Sequence, residues 1–286
     1  MGYYGTMLLA RPVGRPLPTH PEVRAFGSRV GLHGLWQQVV SLHDVGDGWQ
    51  RVGVTAFHSE RLRLAEGVAD LLAATRAPVL AAYVAESSCA LIEAGTPSGV
   101  ALSLHVPNRP EDCGLEHVGG RPPVAEQQAA VDTLLAWAVE AGRTPSAQGV
   151  AEFVGMRDMP SVPMENAVVG LLTLLGFAAV APIRPVFDPR EPPFDDLDLQ
   201  ARLADLKVSG RLDAERKGYE LGPEYGPTPL ELAHLDLRCR VWAAAYGGEV
   251  TAADLAAELA GMEPLPPLRV KNWTGDQNPV LHGDQR

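Results

Sequence analysis

The side chains whose types and spacing could do chemistry lie in Val79 to Val106, VLAAYVAESSCALIEAGTPSGVALSLHV. Two arms rich in Val, Leu, Ile and Tyr flank Gly95-Thr96-Pro97-Ser98-Gly99, a turn by composition, so the stretch reads as a long β-hairpin. With those five residues as the loop, Ala94 pairs with Val100 and Cys89 falls opposite His105. Directly opposed Cβ atoms stand ~4.5 to 5.5 Å apart, within reach for an imidazole to take the proton of a thiol and leave a nucleophilic thiolate. In this register Ile92, Leu102, Ala90 and Leu104 share one face. Leu91, Ser103, Cys89 and His105 share the other, with Ser87 and Glu86 near enough to orient the ring. The plainer alternative is a small buried hydrophobe, because a thiol packs well in a core and neither an oxyanion-hole glycine run nor a helix start accompanies Cys89.

Other candidates are incomplete. Glu111-Asp112-Cys113-Gly114-Leu115-Glu116-His117 places a thiol and an imidazole at ligand spacing, but that is half a zinc site and the other cysteines, Cys89 and Cys239, have no close partner to complete it. Asp195-Asp196-Leu197-Asp198 offers oxygen ligands, yet it precedes a helix, where acids complement the dipole. No GxxxxGKS/T, GxSxG or HExxH string occurs, and Gly119-Gly120 is followed by prolines, which cannot open a phosphate-binding helix with free amides. No metal and no cofactor is therefore expected. Trp36 and Trp49, with Tyr3 and Tyr4, fall on predicted strands, where aromatics form core or sheet face, or else anchor a partner.

The elements that must position these residues follow from apolar period and turn signals. Tyr3 to Ala10 is a predicted strand. Leu35 to Val45 and Trp49 to Phe57 flank Asp47-Gly48, which favours a two-residue type I′ turn and sets Arg51 opposite Asp44 and Val52 opposite His43. Glu60 to Thr75 carries Leu62, Ala65, Val68, Ala69 and Leu72 at helical spacing. After Pro107 the pattern turns helical: Val124 to Ala141, then Ser146 to Gly155 opened by Thr144 and Pro145, then the largely apolar Pro163 to Leu175 as a buried central helix. Prolines at 182, 185, 189, 192 and 193 exclude regular helix and sheet. Thr228-Pro229-Leu230-Glu231 is a capping box opening a helix to Tyr246, and Thr251 with Asp254 caps another. The expected class is α+β: an antiparallel sheet with a helix in the N-terminal half and a mostly helical C-terminal half. The expected regions are 1–120 (sheet), 121–181 (helical), a proline-rich linker 182–196, a second helical region 197–267, and an extended tail 268–286 in which Trp273 could plug a groove.

Composition sets the outer limits. A chain of 286 residues with 46% hydrophobic side chains can build a substantial core. A net charge of -11 and only three lysines argue against nucleic acid and anionic membranes, both of which need clustered cations. No apolar run approaches the ~20 residues that span a bilayer and no signal-peptide pattern opens the chain, so a cytoplasmic location is expected, in keeping with three widely spaced cysteines. Heavy Arg, Ala, Gly and Pro use matches the coding bias of a high-GC bacterium.

The opening Gly2-Tyr3-Tyr4-Gly5 and the strings Tyr83-Val84 and Ser88-Cys89-Ala90-Leu91 resemble a group of actinobacterial proteins over the first ~110 residues, a resemblance that implies no activity. The general character, small, acidic and α+β, is similar to that of toxin-immunity proteins. Three functions remain in competition: a cytoplasmic, non-enzymatic binding protein for a basic protein partner; a thiol-dependent hydrolase or transferase using Cys89 and His105; and a small-molecule sensor with its ligand between sheet and helices.

Overall fold

The computed structural model describes residues 5–13, 16–17, 39–55, 64–108, 126–158, 160–177, 181–197, 204, 207, 222, 226–247 and 250–265. Trp36, Cys113, His117, Trp273 and the tail 268–286 lie outside them. The elements run β1 (Gly5–Ala10), β2 (Val39–Asp44), β3 (Gln50–Thr55), α1 (Leu64–Thr75), β4 (Val79–Ala85), β5 (Cys89–Gly95), β6 (Ala101–Val106), α2 (Gln127–Glu140), α3 (Ala147–Val154), α4 (Met164–Leu174), β7 (Ala181–Pro182), α5 (Pro229–Ala245) and α6 (Ala252–Gly261). The fold is α+β, with most strands in the N-terminal half and most helices in the C-terminal half.

One antiparallel sheet, ordered β6-β5-β4-β1-β3-β2-β7, organises the molecule. Helices cover both of its faces, which is why β1 and β4 are buried at every position and read as almost unbroken apolar runs. On one face Leu9, Leu80, Ala82, Val84, Ile92 and Leu104 pack against Leu134 and Trp137 of α2, Phe153 of α3 and Val168 and Leu171 of α4. On the other, Leu8, Leu42, Val52, Ala81 and Cys89 join Leu64, Val68 and Leu71 of α1 and Cys239 and Trp242 of α5. The sheet and the helices of 127–174 thus share a single core. A smaller cluster of Phe194, Leu197, Leu237, Val241 and Leu255 ties α5 and α6 to the proline-rich segment.

Helix ends follow local chemistry. Thr228 and Glu231 form the capping box in full, and the Thr251 hydroxyl accepts the Asp254 amide. At α3 the cap is Ser146, whose hydroxyl accepts the Gly149 amide, and not Thr144 with Pro145 in the first turn. The shift arises because the Ser146 amide bonds the Leu174 carbonyl, 2.7 Å, which fixes the helix start against the end of α4. Helix α4 is buried along Met164, Val168, Leu171 and Leu172, while Asn166, Gly170 and Thr173 face outward, so it flanks the core rather than running through its centre. Leu172→Ala is expected to cost about 2 to 3 kcal/mol, read as a lowered urea midpoint at unchanged slope.

Four strand expectations are corrected. Val79 to Val106 is a three-stranded meander and not a two-armed hairpin, because Glu86 and Ser87, both at positive φ, turn the chain between β4 and β5. That turn is fastened from a distance: the Met164 amide donates to the Ser87 carbonyl (2.9 Å) and the Ser87 hydroxyl to Glu165 (3.2 Å). In the β5–β6 pair Ala94 faces Leu102, not Val100, since Gly95 stays in the strand and the loop closes through the Thr96 amide on the Val100 carbonyl. In the β2–β3 pair His43 faces Arg51 and Leu42 faces Val52, one residue from the expected register. There Gly46, Asp47 and Gly48 all take positive φ, giving a three-residue loop where two were expected. The proline-rich segment also contributes to the sheet after all. Ala181–Pro182 pairs with β2 at its edge, where a proline costs no ladder bond.

Candidate functional site

The two-residue register shift changes which residues oppose each other at the thiol site. Such a shift preserves faces, so Cys89 and His105 do share one, as do Leu91 and Ser103. What it changes is the opposition: His105 faces Leu91, Glu93 faces Ser103, and Cys89 lies one row beyond. Diagonal neighbours stand roughly 7 to 8 Å apart, a separation that an aromatic side chain such as imidazole can still bridge. Both residues are deeply buried, Cys89 at 1% and His105 at 2% exposure. The His105 Nδ1 stands 2.7 Å from the Pro107 carbonyl oxygen. A carbonyl only accepts, so Nδ1 carries a hydrogen, and in a neutral ring Nε2 is then the acceptor. Ser87, expected near the imidazole, instead reaches Glu165 of α4.

Around this pair the same face carries Tyr83, in the His105 row, and Glu93, whose carboxyl accepts the Ser103 hydroxyl at 2.7 Å. Burial pushes the Glu93 carboxyl above its ordinary range, against the opposing pull of the Ser103 bond. Glu93 and Tyr83 carried no signal as site residues in the sequence, because a polar residue alternating with apolar ones on a strand reads as a solvated position.

The aromatic candidate with described surroundings is Trp49, and it is a core residue. At 1% exposure it meets Trp137 edge-on at 6.0 Å and Phe177 at 5.2 Å between ring centroids. Arg143 stacks on the Phe177 ring at 4.6 Å, donates to Asp47 at 2.7 Å, and reaches the Gly46 carbonyl, closing this cluster over the β2–β3 loop.

The sequence also missed the His43 and Arg51 pair, since the one-residue slip places Arg51 beside Asp44. The Arg51 Nη2 lies 3.0 Å from His43 Nδ1. Burial and the neighbouring guanidinium hold the imidazole below its ordinary range. A histidine depressed in this way binds fewer protons folded than unfolded, so it favours the fold fully above about pH 6.5 and destabilises it progressively as pH falls below that value.

Among the described residues no group of three or more His, Cys, Asp and Glu side chains is placed to hold a metal ion. No described helix is long and apolar enough to cross a membrane. No protein-family model, curated protein or solved structure matches this chain.

Proposed function

We propose that the chain is a cytoplasmic, non-enzymatic binding protein whose acidic surface engages a basic protein partner. The observation that carries this is the burial of Cys89 and His105 inside a sheet covered on both faces: the residues best suited to covalent chemistry face core rather than solvent. What the surface presents instead is carboxylate. Glu191, Asp195 and Asp196 on the proline-rich segment, and Asp236, Asp254 and Glu258 on α5 and α6, are exposed in a chain of net charge -11. Part of this charge is answered internally, by Arg190 on Asp188 and by Arg240 on Asp236 and Glu258. The remainder steers a cationic partner by complementary potential. The test is affinity capture from the source cells at micromolar chain concentration, at about 50 mM and about 300 mM salt. A retained basic protein released by the higher salt is expected; an absence of any specific retained protein overturns the proposal.

The thiol-dependent hydrolase or transferase stands as the second reading, favoured by the face that Cys89 and His105 share and by the acceptor Nε2 that the Pro107 bond leaves on the imidazole. The two diverge on alkylation. A buried, protonated Cys89 is expected to resist iodoacetamide near about pH 6 in the native protein, whereas a thiolate poised by His105 reacts rapidly there. Rapid modification of Cys89, lost in His105→Gln, decides for the enzyme.

A further inference from the structure

The sequence contains a single Asp-Gly pair, Asp47-Gly48, and no Asn-Gly. It lies in the β2–β3 loop, outside both strands, with the Asp47 side chain 77% exposed. Asp47 and Gly48 take φ of +54 and +78. The hydrogen bonds that close the loop bypass both residues: the Val45 amide donates to the Trp49 carbonyl and the Trp49 amide to the Gly46 carbonyl, 3.0 Å each. Among the described residues the Gly48 amide has no acceptor. A side-chain carboxyl therefore precedes a main-chain nitrogen that no described hydrogen bond occupies and no Cβ shields, whereas in a helix or a ladder that nitrogen is committed.

We propose that Asp47 is a site of spontaneous backbone isomerisation and that Arg143 restrains it in the folded protein. In the reaction the Gly48 nitrogen attacks Cγ of Asp47. An N–Cγ bond forms, the carboxyl hydroxyl leaves with the amide proton as water, and a cyclic succinimide results. Water then opens the ring. Addition at Cγ restores aspartate; addition at the main-chain carbonyl carbon breaks its bond to nitrogen and leaves the chain running through Cγ, as isoaspartate. The chemistry is a dehydration followed by a hydration and needs no co-reactant beyond water. For ring closure Cγ must swing onto the Gly48 nitrogen, and Arg143 opposes that movement. Its Nη1 donates to Asp47 Oδ2 at 2.7 Å and its Nη2 to the Gly46 carbonyl at 3.1 Å, while the guanidinium itself rests on the Phe177 ring at 4.6 Å. Isomerisation would lengthen the main chain by a methylene in the loop that delivers the buried Trp49 to the core. The inference stands apart from the binding-protein proposal, because it concerns the chain's own backbone and no partner takes part.

The test is to hold the purified protein for weeks at neutral pH and physiological temperature and then digest it. Labelled methyl transfer by a protein-isoaspartate methyltransferase measures the product, and mass spectrometry of the peptides locates it. Isoaspartate is expected at Asp47 above the level at Asp44, which is also exposed. It should form several-fold more slowly than in an unstructured peptide spanning Asp44 to Arg51. Arg143→Gln should raise the rate several-fold toward that of the peptide, with intrinsic fluorescence showing that the variant is folded. About 1 M salt should raise it in the native chain as well, by screening the ion pair, a measure that needs no substitution. Isoaspartate at Asp47 no higher than at Asp44 overturns the proposal. So does a rate that neither Arg143→Gln nor salt changes.

Discussion

Trp137→Ala is expected to lower the stability of the fold by about 3 to 5 kcal/mol, the range for emptying a fully buried aromatic site. Trp137 is fully buried, at 0% exposure, and three features converge on it. Its indole Nε1 donates to the carbonyls of Val79 and Gly95, 3.1 Å each, the residues that end the β4–β5 ladder. Its ring sets the position of Trp49 and Phe177, and through them the Arg143 clamp on the β2–β3 loop. The substitution therefore leaves a cavity and two carbonyls without their donor. Trp137→Phe separates these effects, since it refills most of the volume and still loses the donor, at an expected cost of about 1 to 3 kcal/mol. Urea unfolding followed by fluorescence measures both. A loss below about 1 kcal/mol for the alanine variant would show that the helix layer repacks around the site, contrary to a close-packed core.

Gly176→Val is expected to cost about 3 to 5 kcal/mol, from two causes that add. Gly176 ends α4 at φ +91, a conformation in which a β-branched side chain is strained. A Cβ built there would also lie 2.8 Å from the Thr144 carbonyl oxygen and 3.0 Å from its amide nitrogen. These are backbone atoms that cannot step aside, because the Ser146 amide two residues on is bonded to Leu174. Relief requires α3 and α4 to part. Thermal unfolding should register this as a drop of roughly 6 to 20 °C, at about 2 to 4 °C per kcal/mol for a chain of this size. Gly170→Ala on the open side of the same helix meets nothing within 4 Å and serves as the control, with no loss expected.

The elements were legible in the sequence wherever the reason for them was local. The capping box at Thr228, the amphipathic period of α1, the apolar run of β4 and the acid at Asp254 each state their role within a few residues. The faces of the meander were legible too, because alternation in Ala90 to Ala94 and Leu102 to Val106 survives any shift by two. Registers were not legible, because loop length is settled by partners far along the chain. The β2–β3 loop takes three residues with Arg143 holding Asp47 from almost a hundred positions away, and the β4–β5 turn forms at Glu86 and Ser87 with α4 holding it. Glycine or asparagine usually marks such turns, and neither occurs at Glu86 and Ser87. The candidate site inherited this difficulty. A slip of two moved Cys89 off His105, and a slip of one hid His43 behind the wrong partner.

The placement of β1 at the centre of the sheet bears on synthesis as well as on stability. Its two neighbours, β3 and β4, both follow it in the chain, so Gly5 has its full complement of strand partners only after Thr55 and Val84 exist. With ribosomes adding ~5 to 20 residues per second, the apolar strand Gly5–Ala10 emerges roughly 4 to 16 s before its second neighbour is complete. For that interval the nascent chain carries an apolar strand with at least one edge open, the kind of segment that chaperones hold and that pairs wrongly with copies of itself on crowded polysomes. Slowing translation between β1 and β4 should therefore lower the soluble yield, whereas a pause after Ala85 should not.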